Sequence, residues 1–188
     1  MKVPEQLQFL VNGRAPQRRS NESLEGKTCI ITGANSGVGL EAARRFVQGG
    51  ARVVLMCRNA DKAEATRALL APEARAPVEV VLADFACLEE VRRAASQLLD
   101  ICPRIDVLVN NAGIHSTRRI LSPDGIESVF AVNHLASFLL TRLLLQRMIE
   151  SAPARIIQVN SQGHRFNGLN LDDWNWERRF YIGVRAYG

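Results

Sequence analysis

Cysteine and histidine are scarce, with four and three residues among 188. Cys29, Cys57, Cys87 and Cys102 stand far apart, without a CxxC pair or a His/Cys spacing suited to a metal. A zinc site and a disulfide framework are therefore both excluded, and the thiols read as reduced, in a cytoplasmic setting. Aromatic residues make up only 6%, and the arginine doublets Arg18-Arg19, Arg44-Arg45, Arg92-Arg93, Arg118-Arg119 and Arg178-Arg179 are scattered among acids. The net charge of +5 thus forms no basic block, and a nucleic-acid surface, which needs a basic stripe or an aromatic platform, is not expected. The first twenty residues hold no apolar run of signal-peptide length, and no later run is read as a transmembrane segment.

What remains is a hydrophobic content of 47% in a chain long enough for one buried core. Residues 1–25 lack periodicity and carry Pro4, Gly13 and Pro16, so they read as an N-terminal extension; a single domain is expected over 26–188. From Lys27 onward the pattern alternates. "KTCIIT", "ARVVLMC", "VEVVLAD", "IDVLVNN" and "ARIIQVN" are short apolar runs. Between them lie "VGLEAARRFVQGG", "DKAEATRALLAP", "LEEVRRAASQLLDIC" and the long "GIESVFAVNHLASFLLTRLLLQRMIES", all with helical spacing. Strands apolar on both faces require a parallel sheet covered by helices, so the expected fold is α/β: a Rossmann-type, doubly wound parallel sheet of about five strands.

Between the first strand and first helix stands "TGANSGVG", with Gly33, Gly37 and Gly39. A glycine-rich turn at that junction lets main-chain N–H groups approach a pyrophosphate, aided by the helix N-terminus. At the end of the second strand, where a carboxylate would hydrogen-bond the adenosine ribose of NAD, the residues are Cys57 and Arg58. A guanidinium there suits an added phosphate, which favours NADP(H) over NAD(H).

From about Lys27 to its end the sequence resembles the short-chain dehydrogenase/reductase family. "TGANSGVG" is similar to the family's TGxxxGxG, Asp84 to the adenine-contacting Asp after the third strand, and Asn110 to Gly113, "NNAG", to the fourth-strand signature. By this resemblance the cofactor-binding residues are Gly33, Asn35, Ser36, Gly37, Val38, Gly39, Arg58, Asp84, Asn110, Ala112 and Gly113. "VNHLASFLLT", "SAPARIIQVNS" and "CRN" look most like the retinol dehydrogenase branch, which includes the oxidoreductase domain of WW-domain oxidoreductases. That branch implies NADP(H), lipophilic alcohol or carbonyl substrates of retinoid type, and, through the long fourth helix, a homo-oligomer.

The family's chemistry uses an Asn, a Ser, a Tyr and a Lys. Asn133 in "VNH" matches the Asn that holds a proton-relay water, and Ser161 in "QVNS" matches the Ser that polarises the substrate oxygen; Asn160 departs from the family's usual Ser-Ser pair. Simpler roles stay open: Asn133 bonding backbone within its helix, Asn111 serving the sheet, Ser161 capping the turn after the fifth strand. His134 and His164 are read as local packing and loop residues rather than acid–base groups. Two tyrosines compete for the remaining role. Tyr181 has Arg185 four residues on, imitating the family's YxxxK, whereas the paired spacing of Tyr181 and Tyr187 resembles the branch in which the later one acts, so Tyr187 is expected to be catalytic. The matching lysine would fall four residues beyond Tyr187, outside the 188 given. The expectation is a domain truncated at its catalytic Tyr, with an open fifth strand and marginal stability. An inactive nucleotide-binding or interaction module is the alternative to an active enzyme.

Overall fold

Five apolar runs form the strands β1 (Thr28–Thr32), β2 (Arg52–Cys57), β3 (Val78–Leu82), β4 (Val107–Asn110) and β5 (Arg155–Gln158) of one parallel sheet. The computed structural model describes Ser20, residues 22–165, Gly168 and residues 170–187. The extension expected over 1–25 falls outside these except for Ser20 and residues 22–25. Of those, Leu24 lies on the domain, donating its N–H to Gly49 O at 2.8 Å.

The strand order is β3-β2-β1-β4-β5. Chain order runs outward from β1 in both directions, so the sheet reverses between β1 and β4, the switch point at which ligands bind in such folds. The helices α1 (Gly37–Gln48), α2 (Ala60–Leu70), α3 (Leu88–Ile101) and α4 (Ser128–Glu150) cover the two faces. Strand alternation explains why the runs are continuously apolar. Cys29, Ile31, Val53 and Leu55 pack with Ala43 and Val47 of α1 and Ala63 and Leu70 of α2. Ile30, Val54, Met56 and Leu108 face the other way, onto Val91, Ala95 and Leu98 of α3 and Leu140, Leu144 and Met148 of α4. Each such fully buried aliphatic side chain contributes about 1.5–3 kcal/mol by leaving water.

Two expectations need correction. The long fourth helix was expected from Gly125, but it starts at Ser128: Gly125 adopts φ +73°, and the side chain of Glu127 caps the helix. A helix cannot run through a left-handed residue followed by a capping one. Second, no membrane-length run was anticipated, yet Ser128–Glu150, 23 residues with mean hydropathy 1.5, is long and apolar enough to cross a membrane. In this fold Val132, Ala136, Leu140, Leu144 and Met148 turn inward against α3 and the sheet, while Phe138 and Ile149 are exposed.

β5 is the open side of the sheet. It pairs with β4 from Val107↔Arg155 to Asn110↔Gln158, and among the described residues no strand pairs with its outer edge. All four of its residues are exposed.

Candidate active site

The turn from β1 to α1 and the end of β4 are built as one piece. Thr32 is fully buried, and its hydroxyl oxygen accepts the N–H groups of Asn111 and Ala112, each at 2.9 Å. Asn111 Nδ2 answers by donating to Thr32 O at 2.9 Å and Gly33 O at 3.3 Å. The glycines make this approach possible. A Cβ on Gly33, which has φ +64°, would lie 2.9 Å from Ala112 Cα, and one on Gly39 would lie 2.4 Å from Gly33 O. Gly37 differs: its φ is +53°, but a Cβ there would meet nothing within 4 Å. Gly33 and Gly39 therefore pack the loop, whereas Gly37 turns it beneath open space.

Ser36 stands at the N-cap of α1, yet its side chain makes no capping bond and the first turn holds no acidic residue. By contrast Asn59 caps α2, accepting from Lys62 N at 2.8 Å, and Glu127 caps α4. The first-turn N–H groups of α1, beside exposed Ser36, Gly37 and Val38, are thus left to an outside acceptor, and the helix dipole favours an anion there. Asn35 is half-buried, and its N–H and that of Ala34 face the Cys57 sulfur; burial nonetheless pushes that thiol up.

Arg58 follows β2 at the same end of the sheet, exposed and, among the described residues, without an ion pair or hydrogen bond. Asp84, just beyond β3, is fixed in a turn: Oδ1 accepts Ala86 N at 3.0 Å, and its own N–H donates to Glu90 Oε2 at 2.8 Å. Asn110 is buried, with Nδ2 donating to Thr141 Oγ1 at 2.8 Å and Oδ1 lacking a partner among the described residues. Its side chain thus faces α4 rather than the open rim. Gly113 is exposed and borders Asn133, whose Oδ1 would lie 3.5 Å from a Cβ there.

Asn133 sits where α4 widens into a π-type turn over Ala131–Ala136, a local irregularity often found at functional positions. Instead of bonding its own helix it clasps the loop after β4: Oδ1 accepts Ile114 N at 2.8 Å and Nδ2 donates to Ile114 O at 2.9 Å. Ser161, half-buried after β5, accepts Gly163 N at 3.1 Å, and this turn-capping bond leaves its hydroxyl hydrogen available. His164 bonds Ser161 O through Nδ1, and His134 stacks on Phe130.

The tyrosines divide clearly. Tyr181 donates its hydroxyl to Glu127 Oε1 at 3.0 Å, and burial together with that carboxylate pushes its pKa well above the ordinary phenol range. A phenol so held is a poor proton donor to a substrate. Tyr187 lies in a short helix, α5 (Gly183–Tyr187), 39% exposed, its ring set edge-on to His115 at 5.4 Å. Gly183 permits this, since a Cβ there would lie 2.2 Å from Ser116 O. Thr32, Asn111, Glu127 and His115 were not among the candidate site residues. The Thr next to the glycine loop and the second Asn of "NNAG" were available signals; no sequence signal paired Glu127 with Tyr181 or His115 with Tyr187.

A family model described as short chain dehydrogenase matches residues 27–170. Human retinol dehydrogenase 13 is 37% identical over 180 residues, which is 95% of this chain but 54% of that protein. An uncharacterized protein from Mycobacterium paratuberculosis superposes with a TM-score of 0.77 at 40% identity, covering 88% of this chain and 57% of the other. A metagenomic short-chain oxidoreductase in complex with NADP gives 0.66 at 31% identity, with 76% and 64% covered. The chain spans about half the length of the curated relatives it matches.

Proposed function

Because this chain belongs to the short-chain dehydrogenase family, in its retinol dehydrogenase-like branch, we propose that it is built for NADP(H)-dependent oxidoreduction of an alcohol/carbonyl pair. The observation that carries this is the uncapped, glycine-lined start of α1, locked to the end of β4 by Thr32 and Asn111. The residues present fit a dinucleotide. First-turn N–H groups of α1 would donate to the pyrophosphate oxygens, the Arg58 guanidinium, unpaired among the described residues, would meet a 2′-phosphate, and Asp84 would read the adenine. A solved relative that holds NADP supports the choice of cofactor.

The bound nicotinamide supplies or accepts hydride; the chain's own residues manage the proton. Ser161 has a hydroxyl hydrogen free to polarise a substrate oxygen, and Asn133, which fixes the loop after β4 at Ile114, serves the proton relay. The Tyr187 phenol gives a proton to that oxygen during reduction and recovers it during oxidation. Tyr181 is unsuited to this because its hydroxyl is committed as a donor to Glu127. The substrate class is lipophilic and retinoid-like, on the strength of the relative's name. A cytoplasmic location and a homo-oligomer formed through the exposed face of α4, which carries Phe138 and Ile149, complete the proposal.

A second reading, a nucleotide-binding or interaction module without turnover, is favoured by one observation: among the described residues no cation bonds the Tyr187 phenol. NADPH and NADH fluorescence titrations, followed by turnover of a retinoid aldehyde, separate the two. NADPH is expected to bind at least tenfold more tightly than NADH, and Arg58→Ala to remove that preference. Binding without turnover selects the second reading, and failure of a folded sample to bind either dinucleotide overturns both.

A further inference from the structure

The segment from Asn170 to Ile182 is docked at a single buried carboxylate. Glu127 is fully buried, and its carboxylate and main-chain N–H make four polar contacts. Oε1 accepts Val129 N at 3.0 Å and the Tyr181 hydroxyl at 3.0 Å; Oε2 accepts Phe130 N at 2.8 Å. The Glu127 N–H donates to Asn175 Oδ1 at 2.7 Å. Asn175 has no spare capacity, since its Nδ2 donates to Gly125 O and Glu177 Oε1 while its carbonyl accepts Arg119 Nε. Around this point the segment is clamped by Asp173, which accepts the N–H groups of Glu177 and Arg178 and pairs with Arg179 at 3.0 Å. The Arg179 guanidinium in turn lies 3.9 Å over Trp176, whose ring meets Tyr181 edge-on.

The position of this carboxylate gives it a further consequence. Glu127 caps the helix that carries Asn133, six residues on, before the π-type turn has begun. On the other side, Tyr181 is followed directly by Ile182 and Gly183, the residue that seats α5 on Ser116–Thr117 and delivers Tyr187 to His115. One carboxylate thus ties together the supports of the two side chains assigned to proton handling.

We propose that Glu127 and Tyr181 form a buried latch that sets the position of Tyr187 relative to Asn133, so that both act as positioning residues of the redox site. This rests on the function proposed above for that site. Neither residue touches the reacting atoms. The latch breaks by loss of the Tyr181–Glu127 bond, which leaves Glu127 Oε1 with Val129 N alone and frees the approach to α5.

The test uses Tyr181→Phe, Glu127→Gln and the double variant of the full 188-residue chain. Hydrogen exchange of the 183–187 amides is expected to quicken at least tenfold in Tyr181→Phe, while β1 and β2 amides keep their protection. The double variant should quicken exchange by less than the two single effects combined, since Glu127→Gln turns the carboxylate into a weaker amide acceptor for the same bond that Tyr181→Phe removes outright. In a Tyr187→Phe background only Tyr181 titrates, and Glu127→Gln is expected to bring its absorbance transition down in pH. Should Glu127→Gln fail to fold, the isosteric Tyr181→Phe decides alone. Unchanged exchange at 183–187, or additive effects in the double variant, overturns the latch. Where turnover is present, kcat should fall at least tenfold in Tyr181→Phe with KM for NADPH unchanged; a rise in KM alone also overturns it. NADPH titration of the unsubstituted chain tests the cofactor proposal separately, since its binding residues lie outside the latch, and the exchange result stands whichever way that titration falls.

Discussion

Thr32→Val tests whether the phosphate turn and the β4 end are one structural unit. The substitution keeps the shape of a fully buried side chain but removes the hydroxyl that accepts Asn111 N and Ala112 N at 2.9 Å each. It also removes the weak bond donated to Val109 O at 3.4 Å. Leaving a buried donor unsatisfied costs about 1–3 kcal/mol. Asn111 and Ala112 are only half-buried, which places each at the lower end, so the loss sums to about 2–3 kcal/mol. With a urea slope of roughly 2 kcal/mol/M, the unfolding midpoint should fall by about 1–1.5 M without a change of slope. Thr32→Ser is the control: it keeps the hydroxyl and loses one methyl group, at about 1 kcal/mol. NADPH affinity should drop in Thr32→Val and hold in Thr32→Ser, because only the former releases the loop. If the valine variant unfolds at the same urea concentration as the serine variant, the two amides are satisfied in some other way and the reasoning fails.

Burial alone would raise the Asp106 pKa, but Arg104, the Thr28 N–H and Lys27 outweigh it and hold the carboxyl below the usual range. A depressed pKa adds stability above the unfolded value, about 4, and that stability is lost as pH falls through the folded value. Asp106→Asn should therefore cost about 1–3 kcal/mol at pH 7, moderated by the partial exposure of Lys27 and Arg104, and flatten the loss of stability below pH 4 in thermal melts. Among the cysteines, burial pushes Cys29 up to about 12, with the Asp106 carboxylate adding to it, and raises Cys57 and Cys102. A thiol reagent should modify half-buried Cys87 first, and the other three only on unfolding; simultaneous reaction of all four would contradict the buried placement. Ile157 is 41% exposed on β5, whose outer edge is unpaired among the described residues, so Ile157→Lys should lower concentration-dependent association in light scattering, and unchanged association would show that this strand is not the contact.

The order of strands and helices was legible in the sequence because a parallel sheet covered on both faces demands long apolar runs, and helical spacing between them leaves few other arrangements. The glycine turn, Asp84 and "NNAG" were legible for a related reason: each needs a particular side chain, or none, within a few residues of a strand end. Tertiary structure alone decided what each residue touches. It turned Asn110 inward to Thr141, gave Thr32 and Asn111 the task of joining two distant loops, and sent Asn133 to Ile114. It also separated two tyrosines that spacing had left in competition, by burying one against Glu127 and setting the other beside His115. Local periodicity records which side of an element is buried. The partner waiting on that side comes from elsewhere in the chain, 54 positions away for Glu127 and Tyr181, and no local pattern contains it.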